Sequence, residues 1–365
     1  MTSRELQPHR QNIVLPGMPS LGGMYAKAAG QTVGKGVTAG IRRAVKGAPL
    51  LGARGRRRAS GVSHLPNVQI QVADVVVEDS AHRAFSEVVH APLHTDARGN
   101  TLAFSGYLHA LAFPASMALL TRDDFPLPTV GLVHLSNVVE QTQAVTVGEH
   151  LDVTVWAENL RPHRVGTAVD VVVELRRSRG TTAPDDDAAA SDPVWIGRSV
   201  YLARGVSVGG SAASGESGDR GDSGESAGAD AGAGGDAGAG GAVKRAEFQP
   251  PVPTGRWQLA ADTGRRYAAV SGDVNPIHLS GPSARALGMK GAIAHGMYTA
   301  SRALAMVDAP APLRWGVEFA SPLVLPSSVA VAVQRSGRGE DLDRAAVTVW
   351  NAKKGRPHAT LTVRR

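Results

Sequence analysis

The chain has 365 residues, a formal net charge of +7 and no cysteine. Its length suggests about two domains, and the lack of cysteine excludes a disulfide framework, thiolate catalysis and a cysteine-ligated metal. No apolar run is long enough to span a bilayer, and the N-terminus has no hydrophobic signal core, so we expect a cytoplasmic protein. The basic balance suits an anionic partner, whether nucleic acid, a membrane surface or an anionic acyl carrier, and does not choose among them.

Residues 1–65 are predicted to form a basic and flexible tail. Glycine and proline recur in this stretch, and its basic residues have almost no acidic neighbours. A tether to an anionic surface and a solvated tail both fit this pattern, and we favour the solvated tail. The basic residues concerned are Lys35, Arg42, Arg43, Lys46, Arg54, Arg56, Arg57 and Arg58.

Residues 66–204 are predicted to form a first globular unit. Val68–Val72 alternates in polarity like an edge strand, and Ser80–Val89 has the character of a short helix. A second, largely apolar helix should begin near Pro114, because proline is tolerated in the first turn of a helix. Strand-like runs follow at residues 130–139, 151–159, 166–175 and 194–203.

Residues 205–246 are of low complexity and are predicted to be a flexible linker, since they lack the large apolar residues that a core requires. Residues 247–365 form a second predicted unit. In it we expect a short helix after Asp262 and a main helix over Gly296–Val307. Strands are expected at residues 257–261, 314–319, 328–334, 344–351 and 359–364.

The segment from Ser271 to His278 carries the strongest chemical signal in the chain. Gly272 releases the backbone from helical geometry, and Pro276 restricts the residue before it. The turn can therefore aim Asp273 and His278 at one point. A carboxylate beside an imidazole can activate a water molecule or move a proton. The alternative interpretation is a turn with a capping aspartate and a surface histidine.

The same segment reads Ser-Gly-Asp-Val-Asn-Pro-Ile-His, and it resembles the hydratase motif Ser-Gly-Asp-x-Asn-Pro-x-His of the MaoC-like family. Ala294-His295-Gly296-Met297 is similar to a second block of that family. The resemblance implies an (R)-specific enoyl thioester hydratase or dehydratase. The first predicted unit has the same plan of strand, helix and antiparallel strands. The resemblance therefore also implies an α+β double hot-dog fold of the actinobacterial two-domain type. In this fold each antiparallel sheet wraps around a helix, and the two sheets join edge to edge.

The resemblance further implies roles for individual residues. Asp273 and His278 would be catalytic, and the backbone N–H of Gly296 would stabilise the thioester oxyanion. The side chains expected to shape the site are Ser271, Asn275 and His295. The substrate would be an enoyl thioester of coenzyme A or of acyl carrier protein, with no cofactor and no nucleic acid partner. A metal site is not expected, because the spacing offers no third ligand beside Asp273 and His278.

The first unit lacks the motif, since His94 and Asp96 stand there in the wrong order and spacing. We therefore expect one active site per chain, with the degenerate unit shaping a tunnel for the acyl chain. A monomer and a homodimer both remain open. The alternative function is a non-catalytic acyl-thioester-binding or scaffold protein. A thioesterase is disfavoured, because the main helix Gly296–Val307 contains no carboxylate.

Overall fold

A computed structural model of the protein describes residues 10–25, 64–178, 192–207, 247–337 and 339–365. Within those ranges, no helix combines the length and the apolar character that crossing a membrane requires. Helices α1 and α2 of the first half lie at Asp79–Val89 and Ser105–Leu120. Its strands β1 to β8 are Gln11–Leu15, Val68–Val76, His94–Thr95, Thr101–Leu102, Leu132–Gln141, His150–His163, Gly166–Arg177 and Trp195–Arg204.

The second half has the same plan with more short helices. Its main helix is α6, Gly296–Val307, and three shorter helices precede it. These are α3 to α5, at Thr263–Ser271, Pro276–Leu279 and Gly281–Ala286. Its strands β9 to β13 are Gly255–Leu259, Leu313–Phe319, Ser327–Ser336, Arg344–Asn351 and Arg356–Arg364.

The long strands form one 11-stranded sheet in the order β1-β2-β6-β7-β8-β5-β10-β13-β12-β11-β9. Five strands of each half follow the same internal order, β2-β6-β7-β8-β5 in the first and β9-β11-β12-β13-β10 in the second. Each set starts from the strand before the helices of its half and ends with the strand after the main helix, and β1 is an eleventh strand added beside β2. The halves meet where β5 pairs antiparallel with β10, from Leu313↔Gln141 to Glu318↔Ser136. The predicted double hot-dog fold with edge-to-edge sheets is confirmed. Pairing of this kind also removes two open strand edges.

The two main helices lie in the concave side of the sheet and form the centre of the core. Helix α2 is apolar on all sides and is buried along nearly its whole length, as expected of a helix enclosed by other elements. Helix α6 is buried from Met297 to Val307, with Arg302 and Met306 less deeply placed. The two helices also contact each other, so the halves share one continuous core.

The prediction for the start of α2 was wrong. The helix begins at Ser105, and Pro114 lies inside it rather than in its first turn. A proline inside a helix removes one backbone donor and crowds the preceding turn. Burial of apolar side chains on both sides of Pro114 outweighs that local penalty. Tertiary packing therefore decides the helix here against the intrinsic helix propensity of proline.

The flexible-tail prediction was also wrong for residues 10–25. Strand β1 pairs in parallel with β2, from Gln11↔Val68 to Leu15↔Val72, so β2 is not an edge strand. A helical turn follows at residues 21–25. The rest of the predicted tail and nearly all of the predicted linker lie outside the described residues, and the proposed unit boundaries remain predictions.

One buried hydroxyl ties the two halves together. Ser105 Oγ accepts a hydrogen bond from Trp195 Nε1 at 3.2 Å and another from Trp315 Nε1 at 2.9 Å. Trp195 lies on β8 of the first half and Trp315 on β10 of the second, and both indoles are almost fully buried. Without this acceptor, two buried N–H groups would lack their partner.

We predict that Ser105→Ala lowers the free energy of unfolding by about 2 kcal/mol or more, because each unpaired buried donor costs roughly 1–3 kcal/mol. Urea unfolding monitored by tryptophan fluorescence measures this loss. Ser116→Ala is the matched control, since it removes another buried serine hydroxyl from the same helix. Equal losses in the two variants would contradict the bridging role of Ser105.

Candidate active site

Two glycines allow the motif to fold back on the helix before it. Helix α3 ends at Gly272, which has a φ of +72° and takes the left-handed conformation that glycine permits. At the start of the same helix, a Cβ on Gly264 would lie 2.1 Å from the backbone oxygen of His278. Only a glycine at position 264 therefore allows α4 to pack this closely on α3.

Asn275 fixes the start of α4, the helix that carries His278. It is the N-cap residue, and its Oδ1 accepts a hydrogen bond from the N–H of Ile277 at 3.4 Å. Pro276 follows at the first helical position, where its missing N–H has no intrahelical partner to lose. Ser271 has a similar local role: its Oγ donates to the carbonyl of Tyr267 at 2.8 Å and accepts from the N–H of Asp273 at 3.3 Å.

The tautomer of His278 follows from the hydrogen bond between its ring and a backbone carbonyl. Its Nδ1 lies 2.8 Å from the carbonyl oxygen of Ile293, and a carbonyl can only accept. Nδ1 therefore carries the hydrogen, and Nε2 holds the free electron pair. Burial lowers the pKa of His278, although Asp273 opposes this shift. The result is a neutral imidazole whose Nε2 can act as a base.

His295 lies beside His278 and is neutral as well. The two rings stack with their centroids 3.6 Å apart. Nε2 of His295 donates to the backbone oxygen of Asp273 at 2.9 Å, which ties the start of α6 to the motif turn. Burial and the neighbouring His278 lower the pKa of His295 to about 3.

Asp273 is the charged member of the group. Burial, the largest single influence, acts to raise its pKa, but the two histidines, Tyr25 and the N–H of Asn275 together outweigh burial and lower the pKa. Oδ1 accepts a short hydrogen bond from the hydroxyl of Tyr25 and another from the N–H of Asn275 at 3.2 Å. The carboxylate is thus ionised beside two neutral imidazoles.

The structure places His295 beside Asp273 and His278 as a third potential metal ligand. The expectation from sequence spacing that no third ligand is available was therefore wrong. One ligand atom each of Asp273, His278 and His295 lies within 4.8 Å of the others. The hydrogen-bond pattern nevertheless does not suit a metal ion. Nε2 of His295 carries the hydrogen it donates to the Asp273 carbonyl, and stacked rings direct their in-plane electron pairs side by side rather than at one point.

Gly296 is the first residue of α6, whose initial N–H groups have no partner inside the helix. The positive end of the helix dipole lies at the same place. The ring of Phe319 covers this position so closely that a Cβ on Gly296 would lie 3.1 Å from it. The helix start therefore offers backbone donors at a point that a side chain would obstruct.

The first half supplies aromatic and imidazole groups close to the start of α6. The ring of His134, on β5, lies 5.2 Å from that of Phe319 and stacks on Tyr201, on β8, at 4.6 Å. The ring of His109, on α2, stacks at 6.4 Å from that of His134. Burial lowers the pKa of His109 to about 4 and that of His134 to about 3. The degenerate half therefore contributes neutral groups to the surroundings of Asp273.

Comparison with known proteins agrees with this geometry. A family model described as "MaoC like domain" matches residues 243–354. The chain is 31% identical over 303 residues to 3-hydroxyacyl-thioester dehydratase X of Mycobacterium tuberculosis, an alignment that covers 82% of this chain and 90% of that protein. The chain belongs to the MaoC-like dehydratase family.

Solved MaoC-like structures extend the likeness to the whole fold. A crystal structure of HtdX from Mycobacterium tuberculosis aligns with a TM-score of 0.58 and 28% identity, covering 81% of this chain and 99% of that one. A MaoC-like dehydratase from Phytophthora capsici aligns with a TM-score of 0.52, covering 82% of this chain and 95% of that one. At 16% identity, the second comparison supports the fold alone.

The structure therefore gathers Asp273, His278, His295 and Gly296 of the MaoC-like motifs at one place. Their functional roles remain predictions.

In the degenerate half, His94 pairs with Asp308 at 2.7 Å, and Asp96 accepts hydrogen bonds within its own turn.

Tyr25 was missed by the sequence analysis. A weak signal existed, because Met18, Leu21, Met24 and Tyr25 recur at helical spacing after the apolar run Ile13-Val14-Leu15. Nothing in that pattern indicated a partner far along the chain.

We predict that the free energy of unfolding of this MaoC-like protein decreases as the pH is lowered, in part because of His295. Its pKa is about 3 in the folded chain and near ~6.5 in an unfolded one. Between those values only the unfolded state binds the proton, so acidification favours unfolding by up to ~1.36 kcal/mol per pH unit.

His295→Gln should therefore flatten the decline of the free energy of unfolding between about pH 6.5 and 5, as measured by urea titrations at several pH values. His150→Gln is the control, since the side chain of His150 is 48% exposed. Parallel curves for wild type and His295→Gln would contradict the prediction.

Proposed function

We propose that the protein catalyses the reversible addition of water to 2-enoyl thioesters, giving 3-(R)-hydroxyacyl thioesters in fatty-acid metabolism. The observation that carries this proposal is the ionised carboxylate of Asp273 beside the basic Nε2 of neutral His278. A carboxylate oxygen of Asp273 and a ring nitrogen of His278 lie within 4.8 Å of each other. A single water molecule can therefore hydrogen-bond to both side chains. Such a pair polarises water without a metal ion.

In hydration, the bound water would donate to Asp273 and His278 while its oxygen attacks the β-carbon. The lost proton passes to this pair, and a proton is delivered to the α-carbon. Dehydration follows the same path backward, so the groups exchange the roles of acid and base. General acid–base assistance of this kind contributes about 10²–10⁴ in rate.

The thioester oxygen gains negative charge as the β-carbon is attacked, and it needs donors at that moment. The backbone N–H of Gly296 at the start of α6 would supply one, supported by the helix dipole. Asn275 and Ser271 hold the turn that carries Asp273 and His278, and His295 holds the turn against α6. In this scheme these three residues position the reacting groups.

The substrate is proposed to be an acyl thioester of coenzyme A or of acyl carrier protein, and the two carriers can be compared directly in rate measurements. The side chains of His109, His134 and Tyr201 support a role for the degenerate half in shaping the acyl-binding wall. The proposal includes one active site per chain and a cytoplasmic location. The protein would act as a monomer or as a homodimer.

The first test follows the loss of the conjugated enoyl absorbance of crotonyl-coenzyme A. We predict that Asp273→Asn lowers kcat by about 10²-fold or more, because the amide cannot accept the proton. Asp343→Asn is the matched control, since the carboxylate of Asp343 is 71% exposed. Equal rates for wild type and Asp273→Asn would contradict the assignment and favour the alternative of a non-catalytic binding protein.

The second test addresses the start of α6. Gly296→Ala places a methyl group 3.1 Å from the Phe319 ring, so the helix start or the ring must shift. We predict a loss of about tenfold to hundredfold in kcat, since small displacements of a reacting geometry have effects of this size.

Gly316→Ala is the control for that test, because its Cβ would meet its nearest neighbour at an ordinary 3.5 Å. Circular dichroism should show both variants folded. Wild-type turnover by Gly296→Ala would show that close approach to this backbone is not needed.

A further inference from the structure

The N-terminal segment at residues 10–25, which we call the strap, runs from the far edge of the first half to the active site in the second. Strand β1 anchors one end through its pairing with β2. Arg10 strengthens the anchor, because its guanidinium lies 4.8 Å from the centre of the Trp156 ring and its Nη2 is 3.4 Å from Glu158.

The other end of the strap is seated on the motif turn. The side chain of Leu21 lies so close to Gly272 that a Cβ there would be 2.2 Å from Leu21 Cδ1. Leu21, Met24 and Tyr25 all pack against the main core. The strap therefore contacts the residue that immediately precedes Asp273.

Tyr25 ends the described part of the strap, and its hydroxyl donates to Oδ1 of Asp273. The direction of this hydrogen bond is settled, because burial and the nearby carboxylate raise the pKa of Tyr25 and keep its proton on the oxygen. Oδ1 then has two donors, Tyr25 and the N–H of Asn275. Together they fix the rotation of the carboxylate.

Fixing Oδ1 leaves Oδ2 as the oxygen available for a reacting water. Oδ2 lies 3.8 Å from Nε2 of His295, whose hydrogen is already committed to the backbone of Asp273. The side chain of Asp273 is 24% exposed with Tyr25 in place, so the strap does not enclose it completely. The contact thus orients the carboxylate and leaves one of its faces open.

We propose that Tyr25 is a positioning residue of the active site, delivered by the strap, which holds Asp273 in the orientation and the ionised form that water activation requires. This inference rests on the proposed hydratase function. The chemistry is that of a neutral phenol donating to a carboxylate, an interaction that favours the charged form of the acid. An inhibitory strap that blocks the site is the competing account, and it predicts the opposite change in rate.

The test compares wild type with Tyr25→Phe, which keeps the ring and removes only the hydroxyl. With crotonyl-coenzyme A, kcat should fall by about tenfold, and the acidic limb of the pH profile of kcat/KM should move up by about one pH unit. Leu21→Ala should cause a smaller change in the same direction. Val14→Ala is the control on the strap, since Val14 is 67% exposed.

A second readout needs no turnover. Carbon-13 NMR of labelled aspartate carboxyl groups follows the titration of Asp273, with its signal assigned by its loss in Asp273→Asn. The pKa of Asp273 should rise in Tyr25→Phe and remain unchanged in Val14→Ala. The titratable groups that face Asp273 are the same in all these variants: His109, His134, Tyr201, Tyr267, His278 and His295.

The outcomes separate this inference from the proposed function. An unchanged rate and an unchanged Asp273 titration in Tyr25→Phe would overturn the positioning role. A faster Tyr25→Phe enzyme would overturn it in favour of an inhibitory strap. If wild type turned over neither short nor long enoyl thioesters while the titration still shifted, the contact would stand and the hydratase function would fall.

Discussion

A partly buried, ionised carboxylate is the constraint on which the rest of the site depends. Burial disfavours the charged form, so Asp273 requires donors in fixed positions. Tyr25 and the N–H of Asn275 supply them at Oδ1. The two histidines remain neutral because they are buried, and each has one nitrogen bound to a backbone carbonyl. Charge and basicity are thus divided between neighbouring side chains, which is the division that water activation requires.

The double hot-dog architecture allows one half to carry the motif and the other to support it. The halves share a sheet through β5 and β10 and share a core through α2 and α6. Ser105 joins them again by accepting from an indole of each. Because the first half carries no second motif, its side chains His134 and Tyr201 are free to line the surroundings of Asp273.

The motif and the sheet plan could be predicted because their signals are local. Gly272 and Pro276 determine a turn within a few residues, and strand runs alternate in polarity over short windows. The start of α2 could not be predicted, since apolar burial outweighed the local meaning of Pro114. The contact of Tyr25 could not be predicted for a different reason. Its partner Asp273 is 248 positions away along the chain, and no short-range pattern encodes that contact. The convergence of His295 on the pair likewise depends on how α6 packs.

The most direct test of this account is a double-mutant cycle on Asp273 and His278, with kcat measured for Asp273→Asn, His278→Gln and the double variant. If both side chains act on one water molecule, removing either abolishes the same step. The double variant should then be no more than a few-fold slower than the slower single variant. Losses that multiply would show that the two groups act independently, and that result would contradict a shared water.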